Sequence, residues 1–139
     1  MLDMAHPNNR YFISVDIEGI TGVCADDFAT RKALNYEQGR KYMAHDVNAV
    51  IEGILSVDAD ATVLVRDAHG SAMNLDLATL HPRASLLQGW GGTLNMMQGL
   101  DASFKAAFLV GYHAGGHNPK GAMSHTFLTA FAGVRINGQ

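Results

Sequence analysis

The chain has 139 residues, enough for one domain with a continuous hydrophobic core, and its 47% apolar content excludes a wholly disordered chain. Its 10 Lys and Arg stand against 13 Asp and Glu, and the formal charge of −3 excludes the basic footprint of a nucleic-acid-binding protein. A single cysteine excludes a disulfide scaffold and, with no apolar run long enough for a membrane span, predicts a cytoplasmic protein without a membrane partner.

The predicted elements alternate between strand and helix along the chain. Apolar residues spaced by three, four and seven predict a helix over 35–57, which Asn35 and Gln38 would open as a capping box. Short aromatic or β-branched runs such as 11–16 (YFISVD) predict strands. The full set is a polar N-terminal tail at 1–10, strands at 11–16, 61–65, 84–87, 105–111 and 130–136, helices at 35–57 and 93–101, helical turns at 73–80, and loops at 17–30 and 112–121.

This order of elements predicts the fold class. Nearly continuous apolar strands that alternate with helices are typical of an α/β protein with a mostly parallel sheet flanked by helices, a three-layer arrangement. We expect residues 11–139 to form one such domain. Asn137-Gly138 is typical of a hairpin turn, but the sequence ends one residue later, so we expect the domain to be incomplete at its C-terminus.

Metal-binding residue types follow three of the predicted strands. Asp16 and Glu18 follow the first strand, Asp67 and His69 the second, and His113 the strand at 105–111. Ligands of open α/β sheets bind beyond the carboxyl ends of the strands, and residues two apart on an extended segment point to the same side. Carboxylates with imidazoles suit zinc, and their number allows two metal ions about 3.5–4 Å apart with Asp16 as a bridging ligand.

Other interpretations of these residues stay open. Asp16 alone is equally typical of a cap on the following turn, and we expect Asp67 to orient a neighbouring imidazole rather than to bind metal. The Gly115-Gly116 loop could cradle a phosphate, although it lacks the GxxxxGKS/T pattern. Cys24 could pair with a histidine as a nucleophile, although a lone cysteine is more often a small buried apolar residue.

A series of short motifs gives the sequence a family resemblance. The segment SVDIEGITG at 14–22 resembles the SVDxEGxxG opening of the zinc-dependent D-aminopeptidases of the DppA type, peptidase family M55. Further segments resemble family motifs in the same order: NYEQGR at 35–40, DAH at 67–69, LHP at 80–82, GYHA at 111–114 and MSH at 123–125. Each motif is weak by itself, whereas the ordered set over residues 11–139 is specific.

The resemblance implies a function and a set of site residues. The family's reaction is the release of an N-terminal D-amino acid, such as D-alanine, from short peptides by a binuclear zinc site. Carried over by motif, the metal ligands are Asp16, which bridges, with Glu18, His69 and His113. His125 corresponds to the family's active-site histidine, close to the reacting carbonyl. Members of the family form ring-shaped homo-oligomers, commonly decamers.

One departure from the family pattern concerns the last metal ligand. The family has a Glu shortly after the segment that ends here at Gln139, and its members continue about as far again. We therefore expect this chain to be the N-terminal portion of a longer metallopeptidase fold, with one zinc ligand missing and doubtful activity on its own.

Two rival functions follow from the same residues. A site that lacks one ligand could hold a peptide or amino acid without hydrolysing it, as a binding module. Another metal-dependent amidohydrolase reaction is also compatible, because a fold and its metal ligands do not fix the substrate.

Overall fold

A four-stranded parallel sheet forms the centre of the chain in a computed structural model that describes residues 9–116, 118–126 and 137. The strands are β1 (Arg10–Val15), β2 (Thr62–Asp67), β3 (Ala84–Leu87) and β4 (Ala106–Val110). Their order in the sheet is β3-β2-β1-β4, and all neighbours are parallel. The α/β class with a parallel sheet is confirmed. The predicted strand at 130–136 lies outside the described residues.

One face of the sheet is covered by the helix α2 (Tyr36–Val57), and the short helix α1 (Asp26–Ala29) packs against α2. The buried stripe of α2 packs against alternate residues of β1 and β2, such as Ile13 and Val65, which are fully buried. The helix predicted over 35–57 is confirmed, but its capping box is wrong. The Asn35 side chain donates a hydrogen bond of 2.6 Å to Asp27 Oδ2 instead, so it ties the preceding segment to the start of α2.

The opposite face is covered by an irregular segment. The helix predicted over 93–101 is wrong: this region contains only a 3-10 helix, Asn95–Met97, because Gly99 lies at a φ of 98°, outside the helical region. The segment still packs on the sheet, since Ser14 Oγ donates a hydrogen bond of 2.7 Å to the Met96 carbonyl. Phe104 also meets Phe12 edge to face, with the ring centroids 5.6 Å apart. This segment therefore covers the second face of the sheet at β1, whereas Leu109 on β4 is 58% exposed.

Two further local predictions need correction. Residues 73–80 form a loop with turns instead of the predicted helical turns. The backbone N–H groups of Asn74 and Leu75 donate hydrogen bonds to the Asp67 carboxylate and not to carbonyl groups of a helix. The predicted loop at 17–30 contains the short helix α1. Among the helices of the described part of the chain, α2 is too polar to cross a membrane and the others are too short.

Candidate metal centre

The carboxyl ends of β1, β2 and β4 meet at one edge of the sheet. Backbone pairing continues past the strands, since the Asp16 N–H donates to the Val110 carbonyl and the Ala68 N–H to the Val15 carbonyl, each across 2.9 Å. Gly111 allows this close approach: its φ is 67°, and a Cβ at this position would lie 2.1 Å from the Asp16 carbonyl oxygen. The residues that follow the three strands are thereby brought together.

The predicted site residues form one cluster. His69 Nδ1 lies 3.1 Å from Asp16 Oδ1 and 2.9 Å from Glu18 Oε2. On the other side, His113 Nε2 lies 3.6 Å from Asp16 Oδ2, and His125 Nε2 lies 3.8 Å from Glu18 Oε1. The side chains of all but His125 are at least 85% buried, whereas that of His125 is 47% exposed. The structure thus brings all five together.

Their ligand atoms divide into two groups that share a carboxylate. Atoms of Asp16, Glu18 and His69 lie within 4.8 Å of one another, and so do atoms of Glu18, His113 and His125. Two adjacent groups are the arrangement that a pair of metal ions requires. In this geometry Glu18 belongs to both groups, and His125 is close enough to Glu18 and His113 to bind the same ion.

Backbone carbonyls orient each of the three imidazoles. His69 Nε2 lies 2.9 Å from the Ala29 oxygen, His113 Nδ1 lies 2.8 Å from the Ala114 oxygen, and His125 Nδ1 lies 2.8 Å from the Met123 oxygen. A carbonyl oxygen only accepts, so these three nitrogens carry the proton and donate it. In the neutral ring the other nitrogen then has its lone pair directed at the carboxylates, which is the orientation that metal-binding histidines have in proteins.

Burial and hydrogen bonding shift the ionisation of the three innermost groups. Burial raises the pKa of Asp16 above its ordinary value. Burial also opposes ionisation of Glu18, but hydrogen bonds from His69 and Asp16 outweigh it and lower the pKa of Glu18 to about 2. Burial similarly disfavours the charged form of His69, yet hydrogen bonds to Asp16 and Glu18 raise the pKa of His69 to about 10. A protonated His69 therefore supplies the positive charge between the two carboxyl groups.

The donor chemistry of the cluster fits a divalent cation. His69 Nδ1 carries at most one proton but lies 3.1 Å from Asp16 Oδ1 and 2.9 Å from Glu18 Oε2, so when that proton is directed at one of these oxygens the other receives no donor from His69. A buried carboxylate oxygen without a partner is costly. A cation bound to Glu18 and to the His69 lone pair would remove this cost, and carboxylates with imidazoles are ligands that zinc prefers.

Asp67 has a different role from the predicted one. Among the described residues its carboxylate forms no hydrogen bond with an imidazole; it accepts hydrogen bonds from the Asn74 side chain (2.7 Å) and the Leu75 N–H (2.8 Å). Asn74, which sequence reasoning missed, also donates to the His69 carbonyl across 2.6 Å and accepts from the Tyr36 hydroxyl across 2.6 Å. Asp67 and Asn74 therefore hold the backbone that carries His69.

Two cavities flank the cluster and share Glu18, His69 and His125 in their walls. The larger, of about 500 Å³, is bordered by α1, by the residues after it and by the loop after β2. The smaller, of about 280 Å³, has an apolar wall that includes Trp90 and Met96. Volumes in this range suit small-molecule ligands.

The alternative sites predicted from the sequence lie away from these cavities. Cys24 is exposed rather than buried, and its thiol lines neither cavity. Gly115 and Gly116 also line neither of them. Nucleophilic cysteine and phosphate-cradle interpretations therefore gain no support from the geometry.

A parallel α/β sheet with paired carboxylate and imidazole groups at its carboxyl edge defines a candidate metallohydrolase. The chain belongs to the D-aminopeptidase family, peptidase M55, whose model matches residues 10–139, and the predicted family resemblance is confirmed. A curated D-aminopeptidase of Bacillus subtilis (strain 168) is 37% identical over 128 residues, which are 92% of this chain and 46% of that protein.

Comparison of structures gives the same relationship. The chain is similar to the Zn-dependent D-aminopeptidase DppA from Bacillus subtilis, a self-compartmentalizing protease, with a TM-score of 0.79 and 37% identity. The match covers 86% of this chain and 43% of that one. The chain therefore spans about half the length of the relatives that it matches.

Proposed function

We propose that the natural protein containing this chain is a zinc-dependent aminopeptidase that releases N-terminal D-amino acids, of the D-alanine type, from short peptides. The observation that carries the proposal is the pair of ligand groups that share Glu18 at the carboxyl edge of the sheet. Membership of the D-aminopeptidase family and similarity to a Zn-dependent relative support the choice of metal and reaction.

We assign the ligands of two zinc ions to Asp16, Glu18, His69 and His113. Although Glu18 belongs to both ligand groups, we assign Asp16 as the bridge, because its Oδ1 lies 3.1 Å from His69 Nδ1 and its Oδ2 lies 3.6 Å from His113 Nε2. Support comes from the burial of these side chains and from the backbone carbonyls that orient both imidazoles. The family resemblance implies a glutamate as one further ligand.

His125 is assigned as the active-site histidine. Zinc, when bound, polarises a peptide carbonyl and acidifies water. The Nδ1–H of His125 donates to the Met123 carbonyl, so Nε2 is the atom free to accept or deliver a proton at the edge of both cavities. The ring of His113 stacks on that of His125 with 4.0 Å between centroids, and this contact holds the exposed ring in place.

The assembly and location of the protein belong to the same proposal. We assign it to a homo-oligomer, a decamer by family resemblance, and its relative is described as self-compartmentalizing. A cytoplasmic location is supported by the single cysteine, which is free.

The test is the metal content and peptide hydrolysis of the natural protein. We expect about two zinc ions per subunit and cleavage of D-alanyl-D-alanine, with L-alanyl-L-alanine as the control substrate. Undiminished hydrolysis after complete removal of metal would contradict the proposal. Binding of the D-peptide with no product would instead support a binding module.

A further inference from the structure

The larger cavity beside the metal centre is lined by an arginine that forms no hydrogen bond or ion pair within the described part of the chain. Arg31 is the only lysine or arginine among the described residues that line it. Its guanidinium makes no hydrogen bond or ion pair with any described residue. Thr30, Ser71 and Ser124 line the same cavity, and the hydroxyl of Ser124 donates to the Gly121 carbonyl. Arg31 is exposed, so the donors of its guanidinium are available to a ligand in this cavity.

The segment that carries Arg31 is fixed relative to the metal centre. Two residues before Arg31, the Ala29 carbonyl accepts the hydrogen bond from His69 Nε2. Backbone hydrogen bonds hold Thr30 N–H to the Asp26 carbonyl (2.8 Å) and Ala33 N–H to the Thr30 carbonyl (3.0 Å). A hydrogen bond from the Asn35 side chain to the Asp27 carboxylate joins the two ends of this segment. Arg31 therefore lies on a short loop whose backbone is fixed by hydrogen bonds on both sides.

The two cavities differ in the chemistry that they offer to a substrate. The smaller cavity presents Trp90, Met96 and Ala68, which suit a small apolar side chain. The larger one presents Arg31 together with Asp26, a second charged group outside the metal centre, and these two side chains form no ion pair with each other. A guanidinium matches a carboxylate with two parallel hydrogen bonds, so the larger cavity suits the end of a peptide that carries a free carboxylate.

We propose that Arg31 binds the C-terminal carboxylate of the leaving residue, so that the larger cavity accepts the leaving residue and the smaller one the N-terminal side chain. The inference rests on the proposed function. It makes Arg31 a specificity-determining residue that favours dipeptides with a free carboxylate over the corresponding amides.

The experiment compares D-alanyl-D-alanine with D-alanyl-D-alaninamide, which contain the same scissile bond, in the natural protein and its Arg31→Met variant. We expect the natural protein to favour the free acid by about 10-fold or more in kcat/KM, the range of a charged hydrogen bond. R31M should lose this preference through a higher KM for the acid, while its kcat/KM for the amide stays within about twofold.

Two further variants make the comparison specific. Arg31→Lys keeps the charge without the bidentate geometry, and we expect it to restore part of the preference. Lys32→Met removes the same charge one residue along the chain from a side chain that lines neither cavity, and we expect it to keep the full preference. Zinc content should be the same in all four proteins.

Several outcomes would overturn the inference. These are equal kcat/KM values for acid and amide in the natural protein, an equal loss for both substrates in R31M, or the same loss of preference in K32M. If the natural protein hydrolyses neither peptide, the proposed function is wrong and calorimetric binding decides the role of Arg31. Tighter binding of the acid that disappears in R31M would then support the inference, and equal binding of acid and amide would overturn it.

Discussion

The imidazole of His69 donates a hydrogen bond of 2.9 Å from Nε2 to the backbone carbonyl of Ala29, the last residue of α1. This contact joins the loop after β2 to the helical layer. It also fixes which nitrogen of His69 faces the carboxylates, and so connects the packing of α1 with the chemistry of the metal centre.

Zinc binding to the metal-free protein is expected to release about one proton from His69 at pH 7. The pKa of His69 is raised to about 10, so its Nδ1 is protonated at pH 7, and a metal ligand must be neutral. The released fraction should fall, and the zinc affinity level off, as the pH rises through that pKa. Calorimetry in two non-coordinating buffers with different ionisation enthalpies measures the release. A heat that is identical in both buffers would contradict the prediction.

Replacement of His113 by alanine is expected to remove metal and hydrolytic activity together. His113 Nε2 lies 3.6 Å from Asp16 Oδ2, and its ligand atom lies within 4.8 Å of those of Glu18 and His125. Metal content by mass spectrometry and peptide hydrolysis are the two measurements. His81→Ala is the matched control, because His81 pairs with Glu52 and lines neither cavity of the centre. H113A protein with full metal content and full activity would show that the ligand assignment is wrong.

Gly39→Ala is expected to lower the free energy of unfolding by about 1–3 kcal/mol, because an added methyl group overpacks a tight contact. A Cβ on Gly39 would lie 2.1 Å from the Phe28 carbonyl oxygen, so α1 would have to move away from α2. Gly53→Ala on the same helix meets nothing within 4 Å and is expected to stabilise by about 0.5–1 kcal/mol. Chemical denaturation measures the free energy of unfolding of both variants. Equal changes in that free energy would contradict the packing argument.

Asp67→Ala is expected to destabilise the protein by about 3 kcal/mol, because buried N–H groups of Asn74 and Leu75 lose their acceptor. Zinc affinity should fall as well, since Asn74 holds the His69 carbonyl. Asp76→Ala removes an exposed carboxylate that, among the described residues, accepts only the Ala78 N–H, and its effect should stay below about 1 kcal/mol. Thermal unfolding and zinc titration measure both quantities. A D67A protein with unchanged stability and unchanged zinc affinity would show that Asp67 does not hold the backbone that carries His69.

The parallel sheet and the convergence of the site residues could be predicted because both depend on local signals. Apolar runs mark the strands, and residues such as Asp16 and His69 follow them directly. The role of Asp67 could not be predicted, because it depends on the loop that folds back and presents the Asn74 N–H groups. The helix over 93–101 failed for a similar reason, since Gly99 adopts a positive φ that the apolar spacing does not reveal. Arg31 lies in no sequence motif, so its position on the wall of the larger cavity is visible only in the folded structure.

The distances along the chain between the cluster's members affect how the protein folds. Asp16 and His69 are 53 residues apart, and the hydroxyl pair of Ser14 and Tyr112 spans 98 residues. Parallel strands pair only after long loops close, so chains with such non-local contacts fold slowly, on the order of milliseconds to seconds. Zinc can therefore bind with full affinity only to a finished sheet. Unlike a zinc-finger peptide, which collapses around its ion, this chain would acquire metal as a late event, and refolding with or without zinc should proceed at the same rate.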